Sequence, residues 1–211
     1  SNSLLEIVEF STEILNATST SLVVGVSQDS SFGCTNLLVY AHDRSFLFVD
    51  LFNTLSKLKI KVKAAQILKT KTNKVLEIIR VIDHDDEIIE DKTRIQQITD
   101  RITDIVTGKR ESISLSKPKF VENFDYNPTI EFLKTPNQNK TLLRINALDD
   151  PRFMERICRV FKNMKLTIHS ARISSLGESS ENVFLISSQN KKAITEDEKN
   201  KLFEELQSKI V

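Results

Sequence analysis

Apolar positions along this chain follow two rhythms, one of helix and one of strand, and the order of the rhythms repeats. Over 45–57, Leu47, Leu51, Leu55 and Leu58 fall at i, i+4, i+8 and i+11, which places one stripe on a helix. Over 60–70, lysines alternate with apolar residues (Lys59, Ile60, Lys61, Val62, Lys63), as in a strand with one wet face. A polar turn at 71–74 and a second apolar run at 75–83 complete a hairpin. Upstream, 35–41 is rich in β-branched and aliphatic residues after Gly33 and predicts a strand, and Asp43 after it suits a helix N-cap. Downstream, Ile95, Ile98, Ile102, Ile105 and Val106 make the inward stripe of a helix over 91–108, closed by Gly108.

A shift of 106 positions carries this series onto a second one. Asp43 falls on Asp149, and Leu47, Leu51, Leu55 and Leu58 fall on Phe153, Ile157, Phe161 and Met164. Ile60, Val62, Ala65 and Ile67 fall on Leu166, Ile168, Ala171 and Ile173. Agreement across both periods, in the same order, predicts two copies of one small domain. The second copy has a strand at 141–147, a helix at 151–163 with Pro151 in its first turn, strands at 166–176 and 182–188 around a turn at 177–180, and a helix at 195–209. The order β-α-β-β-α is most of a βαββαβ unit, so the predicted fold class is α+β with two ferredoxin-like units in tandem. The fourth strand of each sheet comes from elsewhere, with 22–26 and 130–133 as the candidates. Residues 1–20 form a helical remnant or linker, with 4–15 packing on the first unit or belonging to a preceding domain. Residues 21–110 are the first domain, 111–128 a connection, and 129–211 the second domain.

Composition narrows the function. Thirty Lys and Arg oppose 29 Asp and Glu over 211 residues, a net charge of +1, which argues against a coat for nucleic acid or an anionic membrane. The four glycines carry neither a GxGxxG nor a GxxxxGK spacing. Two cysteines fit a reducing, cytoplasmic setting, and no apolar run reaches the roughly 18 residues of a membrane span. The opening Ser1-Asn2-Ser3 reads as a tag remnant on an excised fragment.

Candidate chemistry is sparse. Asp83-His84-Asp85-Asp86-Glu87 holds metal-type ligands, but neighbours at a strand end point in different directions, so it reads as a solvated turn. The His84-Asp85 dipeptide lacks the further histidines that a phosphohydrolase site needs. The run Lys57, Lys59, Lys61, Lys63, Lys69, Lys71 and Lys74 has no interleaved aromatic to stack a base and reads as a solvated face or a docking face for an acidic surface. Cys158 lies on the apolar helix face and Cys34 has no nearby histidine to activate it. No catalytic constellation emerges, so no metal or cofactor is expected in this chain.

The remaining signal is the loop between first strand and first helix, present twice: Asp43-Arg44-Ser45-Phe46-Leu47 and Asp149-Asp150-Pro151-Arg152-Phe153. With the hairpin strands Val62 to Ile67 (VKAAQI) and Ile168 to Ile173 (IHSARI), it resembles the ACT domains, small-molecule-sensing modules. Over 20–210 the tandem is similar to the carboxy-terminal ACT region of bacterial PII uridylyltransferases. That resemblance implies a parent that transfers UMP from UTP to PII with Mg²⁺ and removes it hydrolytically, under the control of glutamine bound at the ACT region. It implies as partners PII, the catalytic domains of the same chain and a possible homodimer. The implied pocket is walled by Asp43, Arg44, Ser45, Phe46, Asp149, Asp150, Pro151 and Arg152, with Lys63, Gln66, His169 and Arg172 on the strands. Phe46 and Arg152 stand where the family keeps glycine, and Asp150 where it keeps arginine. A bulky ring and a like charge against a ligand carboxylate both weaken binding, which leaves a degenerate scaffold for docking or dimerisation as the alternative.

Overall fold

The computed structural model describes residues 22–29, 32–44, 46–70, 72–109, 127–148, 152–176 and 179–210. They form two units, divided between Ile113 and Ser114. The expected helix at 4–15, the connection at 111–126 and the tip of the second hairpin, 177–178, lie outside the described residues.

In the first unit the chain runs β1 (Val23–Asp29), β2 (Cys34–His42), α1 (Leu47–Lys57), β3 (Lys61–Lys69), β4 (Lys74–Ile82) and α2 (Lys92–Val106). All pairings are antiparallel, with Val23 opposite Tyr40, Val39 opposite Glu77 and Ile67 opposite Glu77, so β2 and β4 lie inside and β1 and β3 flank them. The second unit repeats this with β5 (Thr129–Leu133), β6 (Thr141–Leu148), α3 (Phe153–Asn163), β7 (Thr167–Leu176), β8 (Ser179–Ser187) and α4 (Glu196–Ile210). Again β6 and β8 are inside, flanked by β5 and β7.

Each sheet has the strand arrangement of a ferredoxin-like βαββαβ unit, with the chain entered one strand early. The strand that would follow the second helix instead precedes the first strand, as β1 and β5, so the connectivity is ββαββα. The fold is therefore α+β with two ferredoxin-like units, and the two unplaced strands each join their own sheet.

One face of each sheet is buried under its helices. In the first unit Leu37, Val39, Val62, Ala65, Ile67, Val75, Ile79 and Val81 are buried together with Leu51 and Leu55 of α1 and Ile98, Ile102 and Ile105 of α2. In the second, Phe161 of α3 meets Phe184 of β8 edge-on, with ring centres 5.4 Å apart. Within α2, Ile95 and Val106 stay half-buried, so the inward stripe is narrower than its sequence suggests.

The copies share fine structure. Thr35 and Thr141, both buried on central strands, accept the backbone N–H of Ile89 (2.9 Å) and Ile194 (3.1 Å) through Oγ1. Each thus pairs a buried donor just ahead of the second helix of its unit. After α1, Lys59 N–H reaches Ser56 O and Ile60 N–H reaches Leu55 O; after α3, Lys165 N–H reaches Lys162 O and Leu166 N–H reaches Phe161 O. These are Schellman closures, and they hold Lys59 and Lys165 in the left-handed region at φ 59° and 56°.

The hairpins also match. A β-bulge interrupts the register between Val62 and Ala64 in one unit and between Ile168 and Ser170 in the other. The extra residue, Lys63 or His169, shifts the inward phase by one, so that Val62 and then Ala65 and Ile67 point to the core.

Candidate functional site

Asp43 does not cap α1. Its backbone N–H bonds to Asn73 O (2.9 Å) across the end of the sheet, and its carboxylate takes Lys69 Nζ at 2.8 Å. The cap position belongs to Phe46, which has no side-chain cap bond and sits in the left-handed region at φ 67°, ψ 12°. A side chain there is strained where glycine is not. The loop therefore keeps a glycine-like backbone while carrying phenylalanine.

Arg44 is committed to the scaffold. Its guanidinium forms a salt bridge with Asp50 of α1 and reaches Ile105 O at the end of α2 (3.4 Å). One arginine thereby ties the loop to both helices of its unit. Ser45 lies outside the described residues, as do Asp149, Asp150 and Pro151. Arg152 is described, and its backbone is right-handed, at φ −88°, ψ −4°. The two positions that replace glycine in the resemblance thus differ in conformation, and the glycine-like geometry belongs to the first copy.

Beneath the first loop is a residue that the motif search passed over. Glu77, on the central strand β4, is 2% exposed and its Oε2 has no hydrogen-bond partner. Burial, and then the Asp43 carboxylate, push its pKa from 4.5 up to about 8, while Lys69 and Arg44 pull the other way. At neutral pH the carboxyl is mostly protonated. A signal was available: Glu77 holds an inward phase among Val75, Ile79 and Val81. By register its counterpart in the second unit is Asn182, also buried, whose amide donates to Ser180 Oγ (2.9 Å).

The strand residues of the expected pocket do not join the loop within a unit. Lys63 is at the Ile82 end of β3 and Asp43 at the Lys69 end, about 20 Å away at roughly 3.3 Å per residue. Gln66, exposed, sits opposite Ile78 on the face away from the helices. His169 is at the Ile186 end of β7, with Nε2 2.9 Å from Ser187 Oγ. Arg172 is exposed opposite Val183.

The acidic segment is a paired turn. Burial raises the Asp83 pKa, but hydrogen bonds from Arg94 and His84 outweigh it and hold the group at about 2. Arg94 also donates to Leu58 O at the end of α1. Asp86 takes Lys61 Nζ at 2.8 Å. Among the described residues no cluster of three or more His, Cys, Asp or Glu is arranged to hold a metal. Both cysteines are free and buried.

Comparison with known proteins points to one group. No family model matches the chain. A protein of Vibrio campbellii is 29% identical over 190 residues, and one of Pseudoalteromonas translucida is 29% identical over 187. Its curated relatives are bifunctional uridylyltransferase/uridylyl-removing enzymes. The alignments cover 89% and 88% of this chain but only 22% and 21% of those enzymes. The chain thus corresponds to about a fifth of the length of a uridylyltransferase/uridylyl-removing enzyme. Among solved structures, an aspartate kinase from Synechocystis aligns over 83% of this chain and 26% of its own, at 14% identity and a TM-score of 0.44. No described helix is long and apolar enough to cross a membrane.

Proposed function

We propose that this chain is a regulatory module that senses an amino acid, glutamine, for a uridylyltransferase/uridylyl-removing enzyme acting on PII. The observation that carries the reading is the loop ahead of α1. It holds a glycine-like backbone at Phe46 on a ferredoxin-like unit present twice in the chain. The relatives match over nearly the whole chain and only a fifth of their own length, which suits a module without the catalytic machinery. Control would be thermodynamic. Glutamine would bind one arrangement of the module more tightly than another, and that difference in affinity would bias the catalytic domains. The Mg²⁺ chemistry, the UMP transfer and the contact with PII belong to the parent in this reading.

A second reading, a scaffold for docking or dimerisation, is favoured by the engaged state of the loop. Arg44 is bound to Asp50 and Ile105 O, and Asp43 to Lys69. The Phe46 ring and the charge of Asp150 would both oppose an amino-acid ligand.

Calorimetry separates the two. The chain should bind glutamine at about millimolar affinity or weaker, roughly −4 kcal/mol or less favourable. The variant Phe46→Gly/Asp150→Arg/Arg152→Gly should bind it more tightly. Micromolar binding by the unaltered chain overturns the obstructed loop; no binding by either protein leaves the scaffold.

A further inference from the structure

Two ion pairs pin the turn between β2 and α1, and a buried acid lies under both. Lys69 Nζ holds the Asp43 carboxylate at 2.8 Å, and the Asp43 backbone N–H bonds to Asn73 O at 2.9 Å. Arg44 pairs with Asp50 and reaches Ile105 O. Glu77 is on the helix side of β4, directly opposite Val39 of β2 and Ile67 of β3. Lys69 stands two residues beyond Ile67 on the same face of β3. That makes it a diagonal neighbour of Glu77, about 7–8 Å away between backbones and within reach of a lysine side chain.

We propose that Glu77 works a pH-sensitive switch: when it ionises it draws Lys69 off Asp43, and the turn ahead of α1 loosens. Burial and the Asp43 charge keep the carboxyl protonated up to a pH of about 8. Once ionised it is a buried anion whose Oε2 has no hydrogen-bond partner. A buried charge without a partner is far costlier than an open ion pair is worth. The Asp43–Lys69 pair is the open one, with side chains 25% and 46% exposed, so Asp43 can exchange its lysine for water. Arg44 is the less available cation. To turn to Glu77 it would have to leave Asp50, whose side chain is only 10% exposed, and Ile105 O as well.

The charged groups that act on Glu77 are Asp43 from the end of β2, Lys69 from β3 and Arg44 from the turn, with Asp50 of α1 behind Arg44. From α2 the carbonyl of Ile105 enters the cluster through Arg44, and β1 carries no charged residue before Asp29, at its far end. Asp43 repels a second negative charge, and the two cations are the groups that can neutralise it. The second unit lacks these parts. By register Asn182 stands at the place of Glu77 and Ser175 at that of Lys69, and the Asn182 amide donates to Ser180 Oγ. The duplicated fold thus carries the switch in its first copy.

NMR of the labelled chain tests the switch. The carboxyl carbons of Glu77 and Asp43 and the hydrogen exchange of the Asp43, Leu47 and Asp50 amides are followed from a pH of about 6 to about 9.5. Each exchange rate is divided by that of the Ile145 amide on β6, which removes the general effect of pH on exchange. The relative rate at Asp43 should rise about threefold or more, at the pH where Glu77 titrates, and the Asp43 carboxyl carbon should shift at that same midpoint. Glu77→Gln should abolish both changes, and Lys69→Met should leave the Asp43 amide fast at both ends of the range. Titration of Glu77 with no change at Asp43 overturns the switch, and so does a change that survives in Glu77→Gln. A shift at the Arg44 guanidinium with none at Asp43 overturns the role of Lys69. The coincidence of midpoints in the unaltered chain decides the matter even where a variant does not fold.

Discussion

At the scale of single residues, Glu77 and Phe46 carry the tension in the first unit. Glu77 is a carboxyl whose charged form is penalised by burial and by Asp43, so the folded state holds its proton up to pH of about 8. An unfolded chain releases that proton near the ordinary value of 4.5. The folded state binds more protons between these limits. The contribution is therefore complete below about pH 4.5 and is lost as pH rises through about 8, with a slope of up to about 1.4 kcal/mol per pH unit. Glu77→Gln should remove that slope. Urea unfolding at pH 9 should show the variant more stable than the parent by a few kcal/mol, and at pH 5 nearly equal to it. An equal gain at both pH values would show that Glu77 does not titrate as assigned. Phe46→Gly is a second residue-scale test. Relief of left-handed strain is worth about 1–2 kcal/mol, and the half-buried ring gives up a comparable amount, so the unfolding midpoint should shift by no more than about 1 kcal/mol. A larger loss would show that the ring, rather than the backbone, holds the loop.

At the scale of elements, the repeat makes paired predictions. Leu51 of α1 and Ile157 of α3 occupy equivalent places and are fully buried. Truncating either to alanine should cost about 2–5 kcal/mol in chemical denaturation. Lys61→Ala breaks only an exposed pair with Asp86 and should stay within about 0.5 kcal/mol. The Schellman closures predict gains. Lys59→Gly and Lys165→Gly place the permissive residue at φ 59° and 56° and should each raise stability by about 0.5–1 kcal/mol, read as a higher midpoint. A loss at both sites would show that the lysine stems, not the backbone, decide those turns. The strand and helix order was legible because apolar period follows secondary structure directly. The bulges were half-legible: the phase slip from Val62 to Ala65 and Ile67 is written in the residue types, but only pairing with β4 shows that Lys63 is the extra residue. The caps were less legible: nothing in Lys59 or Lys165 advertises a left-handed backbone, and at Phe46 only the resemblance, which keeps glycine there, points to one.

At the scale of the whole molecule, the chain corresponds to a minor part of its relatives, and the expected outcome is that it transfers nothing. Incubated with labelled UTP, Mg²⁺ and a PII protein, it should leave PII unlabelled, and it should remove no UMP from labelled PII. Transfer above the level of a heat-denatured control would place catalytic chemistry in this chain. The sequence by itself determined the duplication, the α+β class and the order of elements, because hydrophobic period and its 106-residue recurrence are local properties that survive without knowledge of the fold. It also named most of the core positions, since a period names its inward face, although Ile95 and Val106 stay half-buried. Tertiary structure alone decided which strand completes each sheet, because β1 and β5 carry no mark of their partners and pairing is a contact between distant segments. It alone decided that Arg44 and Asp43 serve the scaffold and that Glu77 lies buried beneath their loop. The charge state and engagement of an ionisable group depend on what surrounds it in space, and those neighbours, from Lys69 to Ile105, come from elements far apart in the chain.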